Sequence, residues 1–163
     1  MALTKAEKAV LLRTMARAFN RTWDLILKVG RTPGDDREML SLIHTSRYCA
    51  YVAGTDRNRA IGDWMVSRVY AALHEPELAL TFAESSLRWA KPHRCSELRC
   101  SAYEGIARAH VVAAHLAKAR AYLQKAKSDF SRLHLDAEGR EIFRGQIEET
   151  EDLIRRRSRP RRR

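Results

Sequence analysis

Apolar residues recur at helical spacing along almost the whole chain, and no convincing alternation of period two interrupts them. Glycine and proline punctuate the sequence only sparsely. The pattern restricts the chain to an all-α fold. The tightest local constraint lies at His74 and Glu75, the only residues separating two helix-length stretches at about 57–73 and 76–90. So short a connection makes the two helices antiparallel neighbours. Pro76 suits the first turn of the second, where its missing donor costs little.

Further boundaries follow from caps and breakers. Thr4 with Glu7 forms a capping box opening a first helix, whose stripe runs through Leu11, Met15, Phe19, Trp23 and Ile26 to a stop near Gly30. After an RTPGDD loop, a second helix is expected over about 36–53, with Leu40, Ile43 and Tyr48 among its inward candidates. Gly54 and Thr55 end it, and Asp56 is the expected cap of the third. A KPHRC loop leads to a fifth helix at about 96–112 and a sixth at about 116–130, and a seventh is capped at Asp136. The expected architecture is three hairpins (4–53, 57–90 and 96–130) with a terminal helix at 137–154, about seven helices in one domain over 1–154.

A chain of 163 residues, 45% hydrophobic, is long enough to bury a core without disulfides or metal. No run of about 18 apolar residues reads as a membrane span, and MALTKAEKAV lacks the charge-then-apolar order of a signal peptide. Cys49, Cys95 and Cys100 are an odd number, which suits free thiols in a reducing cytoplasm. The net charge of +11 is mostly terminal. The last nine residues hold Arg155, Arg156, Arg157, Arg159, Arg161, Arg162 and Arg163, and without these seven the body carries 24 basic against 20 acidic side chains. Such a run of like charges is expected to stay disordered over 155–163, either holding nucleic-acid phosphates without sequence preference or serving as a solvated end.

The fifth and sixth helices carry a spacing of small and large residues: Tyr103, Ala107 and Ala109 on one, Ala119, Leu123 and Ala126 on the other. Small residues let helices joined by a tight turn approach closely, and the flanking large ones fill the groove. The preceding pair repeats the frame more weakly through Val66, Ser67, Tyr70, Ala79, Ala83 and Ser86, 40 residues earlier when Tyr70 is set against His110 and Ala79 against Ala119. This spacing resembles the tetratricopeptide repeat, although the usual period is about 34. The strings HTSRY, GDWMVSRVYAALHEPELAL and AYEGIARAHVVA also resemble a group of bacterial tetratricopeptide-like proteins. The resemblance implies hairpins stacked as a short right-handed solenoid, and implies no activity.

In such a stack the first helix of each pair lines the concave face, where partners bind. That frame sends Trp64 and Arg68 from one repeat, and Glu104 and Arg108 from the next, toward the hollow, each pair at i, i+4 on one helix face. His44, Arg47 and Tyr48 are expected to close it from the N-terminal side. Arginine forks and a tryptophan face suit a peptide, an acidic protein tail or a small anionic ligand. The same residues can instead pair across repeats as a ladder holding the stack. Tetratricopeptide domains that grip a terminal carboxylate use lysine and asparagine at these positions, so that form of binding is not expected. The apolar first helix, with Phe19 and Trp23, can cover the stack or recruit a second copy.

Catalytic and metal chemistry find little support. His93, Cys95 and Cys100 match no closed zinc spacing, so neither metal nor cofactor is expected. Cys49 follows Arg47 by two residues, which can lower its pKa, but a small half-buried thiol is the commoner case. The enzymatic rival is a helical ribonuclease of the HEPN kind, in which an arginine stabilises phosphate and a histidine moves a proton; Arg37 with His44, or Arg88 with His93, has the spacing. The leading expectation is a non-catalytic binding or adaptor module.

Overall fold

The computed structural model describes residues 3–91 and 96–159, and every regular element among them is an α-helix. These are α1 (Lys5–Leu27), α2 (Pro33–Ala53), α3 (Asp56–Ala72), α4 (Pro76–Ala90), α5 (Ser96–Val112), α6 (Leu116–Phe130) and α7 (Ala137–Ser158). His93, Cys95, Arg161, Arg162 and Arg163 lie outside the described residues, so the Arg88 with His93 spacing and the rejected His93, Cys95 and Cys100 grouping fall partly outside them.

Each helix packs on the next in the chain, and the odd-numbered helices also pack on one another, α1 on α3, α3 on α5 and α5 on α7. The bounds of α3 and α4 recur in α5 and α6 at an offset of 40 residues, and so does their turn. His74 (φ 62°) and Ala114 (φ 59°) are the left-handed residues that stop α3 and α5. In both turns the amide after that residue donates back across the helix end, Glu75 to the Tyr70 carbonyl and His115 to the His110 carbonyl, each at 2.9 Å. Neither position is glycine, so each carries the steric cost of a Cβ in the left-handed region. Ala114→Gly is expected to raise stability by about 0.5–1 kcal/mol, the relief of that cost less the greater chain entropy of glycine; equilibrium urea unfolding measures it.

The caps explain where the boundaries shift from expectation. Thr4 and Glu7 close the capping box at α1. A second box, Thr32 with Asp35, starts α2 at Pro33, three residues ahead of its expected start. Thr55, not Asp56, caps α3 through Asn58. Asp136 accepts from the Gly139 amide as expected. The largest departure is at the C-terminus. Arg155, Arg156 and Arg157 were expected in a disordered run, yet α7 continues through them to Ser158. Cations in a last helical turn meet unpaired carbonyls and the negative end of the helix dipole, which offsets their mutual repulsion. Arg155 also pairs with Asp152 at 2.6 Å, and Arg157 donates to the Val112 carbonyl at the end of α5 at 3.4 Å.

One apolar cluster joins Leu25, Met39, Ile43, Trp64, Met65, Val66 and Val69 across α1 to α3, and another joins Ala107, Leu123, Ala126, Ile147 and Ile154 across α5 to α7. Between them α3 and α5 lie close. A Cβ on Gly105 would stand 3.2 Å from Trp64 Cδ1, so the glycine makes room for the indole. No described helix is long and apolar enough to cross a membrane.

Candidate functional site

The close approach of α3 and α5 sets Trp64, Arg68, Glu104 and Arg108 against one another, as the repeat frame anticipated. Glu104 is buried and accepts from four side chains: Trp64 Nε1 at 3.0 Å, Arg108 Nε at 2.9 Å, Arg68 Nη1 at 3.5 Å, and the Thr150 hydroxyl. Arg68 and Arg108 stand 40 residues apart, at the same place in their respective hairpins. Each then donates a second time to Glu149 of α7, Arg68 Nη2 at 2.8 Å and Arg108 Nη1 at 3.0 Å. Two guanidinium groups and two carboxylates thus form an electrically balanced quartet. The ladder and the convergence of candidate site residues are the same object.

Its electrostatics follow from burial opposed by opposite charge. At Glu104 desolvation favours the neutral acid, but Arg108 and Arg68, with the Thr150 and Trp64 hydrogen bonds, outweigh it and hold the carboxyl below its ordinary value. Glu149, whose side chain is 51% exposed, meets less opposition and is held down to about 2, again against desolvation, by the same two arginines. Burial and the nearby Arg108 charge pull Arg68 down, whereas at Arg108 burial is outweighed by Glu104 and Glu149. Both arginines are cations at neutral pH. The Arg68 guanidinium carbon also lies 4.9 Å from the Trp23 ring centre and 5.3 Å from that of Trp64, a cation placed against two aromatic rings.

His44, Arg47 and Tyr48 do not join this cluster, which corrects their placement on its N-terminal side. A single turn of α2 directs the first two toward α3 and α4. His44 Nε2 is 2.9 Å from the Tyr70 hydroxyl, and its ring meets Phe82 edge-on. Burial and Arg47 push its pKa down, so at neutral pH the ring is an uncharged hydrogen-bonding group. Arg47 Nε donates to Asp63 at 2.6 Å. Tyr48 is 65% exposed. Arg37 is exposed on α2, seven residues from His44.

Asp63 is the centre of a second buried polar cluster that sequence reasoning missed. Besides Arg47 it accepts from the Tyr51 hydroxyl at 2.8 Å and the Ser85 hydroxyl at 2.6 Å, and the Tyr51 oxygen in turn accepts from Trp89 Nε1 at 2.9 Å. Burial raises Cys49 and pushes Cys100 up to about 12, which overturns the possibility of an arginine-activated thiol at Cys49. No group of three or more His, Cys, Asp or Glu among the described residues is placed to hold a metal.

The other missed contributors are Trp23, Glu149 and Thr150. A signal existed for Thr150. It occupies the inward stripe Ile147, Thr150, Ile154 of α7, and a hydroxyl amid apolar positions calls for a buried partner. For Glu149 the acidic string EETED offered no such distinction.

Two openings flank the quartet. A cleft of about 490 Å³ separates α1 from α7, walled by Phe19, Trp23 and Leu27 on one side and Ile142, Gly145 and Gln146 on the other, with Trp64, Arg68 and Glu149 at its base. A cavity of about 320 Å³ lies toward the C-terminal ends of α3 and α5 and includes Arg31, Arg68, Arg108 and Arg157 in its lining. Gly145 stands mid-helix, where a Cβ would meet nothing within 4 Å, so nothing inside the protein requires glycine there. No protein-family model, curated protein or solved structure matches the chain.

Proposed function

We propose that the protein is a non-catalytic binding module of the tetratricopeptide-like class, in which the row of odd-numbered helices holds a peptide or protein segment in the cleft between α1 and α7. The observation that carries this reading is the cleft itself. It combines aromatic walls with a charged base at Trp64, Arg68 and Glu149, the mixture of apolar anchorage and a few placed polar groups that suits a peptide. Gly145 supports it further. Mid-helix glycine is unfavourable relative to alanine, and this one keeps the cleft wall bare. Exposed Leu27 and Ile142, at 71% and 52%, extend apolar surface to the rim.

Two substitutions at Gly145 test the reading. Gly145→Ala is expected to raise stability by about 0.5–1 kcal/mol through helix propensity alone, measured by thermal unfolding. Gly145→Trp is expected to fill the cleft while leaving the quartet intact. Peptides selected from a random displayed library on the whole protein should lose at least about tenfold in affinity for that variant, about 1.4 kcal/mol of binding. Binders that are indifferent to Gly145→Trp would place the interaction elsewhere and overturn the assignment.

A further inference from the structure

We propose that the Arg68 and Arg108 pair is a phosphate site, for free phosphate or a phosphomonoester, which Glu149 fills in the free protein and yields to an anion arriving through the cavity at the ends of α3 and α5. This deepens the reading of the odd-helix row as a binding surface by naming a ligand chemistry.

Donor arithmetic is the starting point. Glu104 engages Arg108 Nε and Arg68 Nη1, and Glu149 engages Arg68 Nη2 and Arg108 Nη1. Arg68 Nε and Arg108 Nη2 remain buried with no partner among the described residues. The two side chains are only 2% and 8% exposed, so water does not readily compensate. A carboxylate offers two oxygens, and Glu149 has committed both. A phosphoryl group brings three or more acceptor oxygens, enough to replace Glu149 and reach donors that it leaves idle.

Charge and access agree. The cavity is lined by Arg31, Arg68, Arg108 and Arg157, with His74 at its edge and Glu149 as its acidic residue. Asp36 already balances Arg31 at 2.9 Å. If Glu149 swings away, Arg68, Arg108 and Arg157 face Glu104 alone, leaving two positive charges for a phosphate that carries close to two negative ones near neutral pH. The terminal carbonyls of α3 and α5 disfavour an anion here, but Arg31 donates to that of Ala72 at 3.5 Å and Arg157 to that of Val112 at 3.4 Å. Glu149 is suited to leave. It is half exposed while the arginines it bridges are buried, and it borders both the cavity and the α1–α7 cleft. Its side chain can turn into water without α7 unfolding, and doing so joins the two openings through the arginine pair.

The test is a titration of the full chain with inorganic phosphate at neutral pH and constant ionic strength, followed by calorimetry and by the fluorescence of Trp23 and Trp64, which flank Arg68. Phenyl phosphate and acetate form parallel arms. The expected result is a saturable response to phosphate, tightened about tenfold or more by Glu149→Ala, a variant at a half-exposed position whose fold circular dichroism verifies. Arg157→Gln should weaken binding severalfold. A matching response to phenyl phosphate assigns the site to monoesters, and a response to phosphate alone assigns it to the free ion. A non-saturating response equal to that of chloride, an unchanged affinity in Glu149→Ala, or equally tight binding of acetate would each overturn the proposal. Retention of phosphate by Gly145→Trp, alongside loss of peptides, separates this site from the cleft; peptide binding without any phosphate response leaves the cleft standing and removes this inference.

Discussion

Glu104→Ala is expected to cost about 3–5 kcal/mol, a large share of the stability of a domain this size. The substitution leaves Arg68 and Arg108 buried with half of their acceptors gone, and removes the acceptor for the Trp64 indole and the Thr150 hydroxyl. The penalty arises from buried charges whose remaining partner, Glu149, already has both oxygens engaged and which water does not readily reach. Urea unfolding followed by far-ultraviolet circular dichroism measures it. Glu149→Ala supplies the internal control, because both arginines keep Glu104 as a partner and the lost carboxylate was half exposed, so the cost should be smaller, about 1–2 kcal/mol. Equal losses in the two variants would show that Glu104 is not the anchor of the quartet.

Acid should act on the same cluster. Glu149 and Glu104 are both held below their ordinary value of 4.5 in the folded protein, Glu149 to about 2. Because the unfolded chain binds these protons more readily, the associated stability is present above about pH 4.5 and is lost as pH falls toward 2. A denaturation series across that range should steepen in the wild type and flatten in Glu149→Ala.

Asp63→Ala is the second large effect, at about 3 kcal/mol, because it withdraws a fully buried carboxylate from three donors at once. Here the paired cation differs from those of the quartet. Arg47 is 30% exposed and can recover water when its partner loses charge. Asp63→Asn, which keeps an oxygen for Tyr51 or Ser85, is therefore expected to cost only about 1–2 kcal/mol. Unfolding of both variants under identical conditions checks the order. If asparagine proves as damaging as alanine, the charge, rather than the hydrogen bonds, holds α2 against α3 and α4.

These two clusters divide the polar residues of the chain in a way that helical periodicity could not. His44, Arg47 and Tyr48 fall on one turn of α2, and sequence spacing treats them as a single group. Which neighbour each meets depends on the rotation of α2 against α3. The structure gives Arg47 to Asp63 and His44 to Tyr70, and leaves Tyr48 exposed. Asp63 itself was overlooked because one acidic residue inside a helix looks like surface until its neighbours are known.

Local chemistry was sufficient for much of the fold. Capping boxes, the His74 and Glu75 connection, the spacing of small residues in α3 to α6 and the Asp136 cap act within a few residues or one helix face, so the sequence alone determined the seven helices of the described residues, their order and the 40-residue correspondence between two hairpins. It also brought Trp64, Arg68, Glu104 and Arg108 into one set, because positions 40 residues apart in the two matching hairpins face the same way. Tertiary structure decided whether those side chains would be open or paired. That outcome rests on α7, whose Glu149 and Thr150 lie more than 40 residues from Glu104 along the chain and reach it only because the terminal helix packs across α5. Long-range charge pairing depends on the angle and register of packed helices, and no local pattern in a single sequence encodes either.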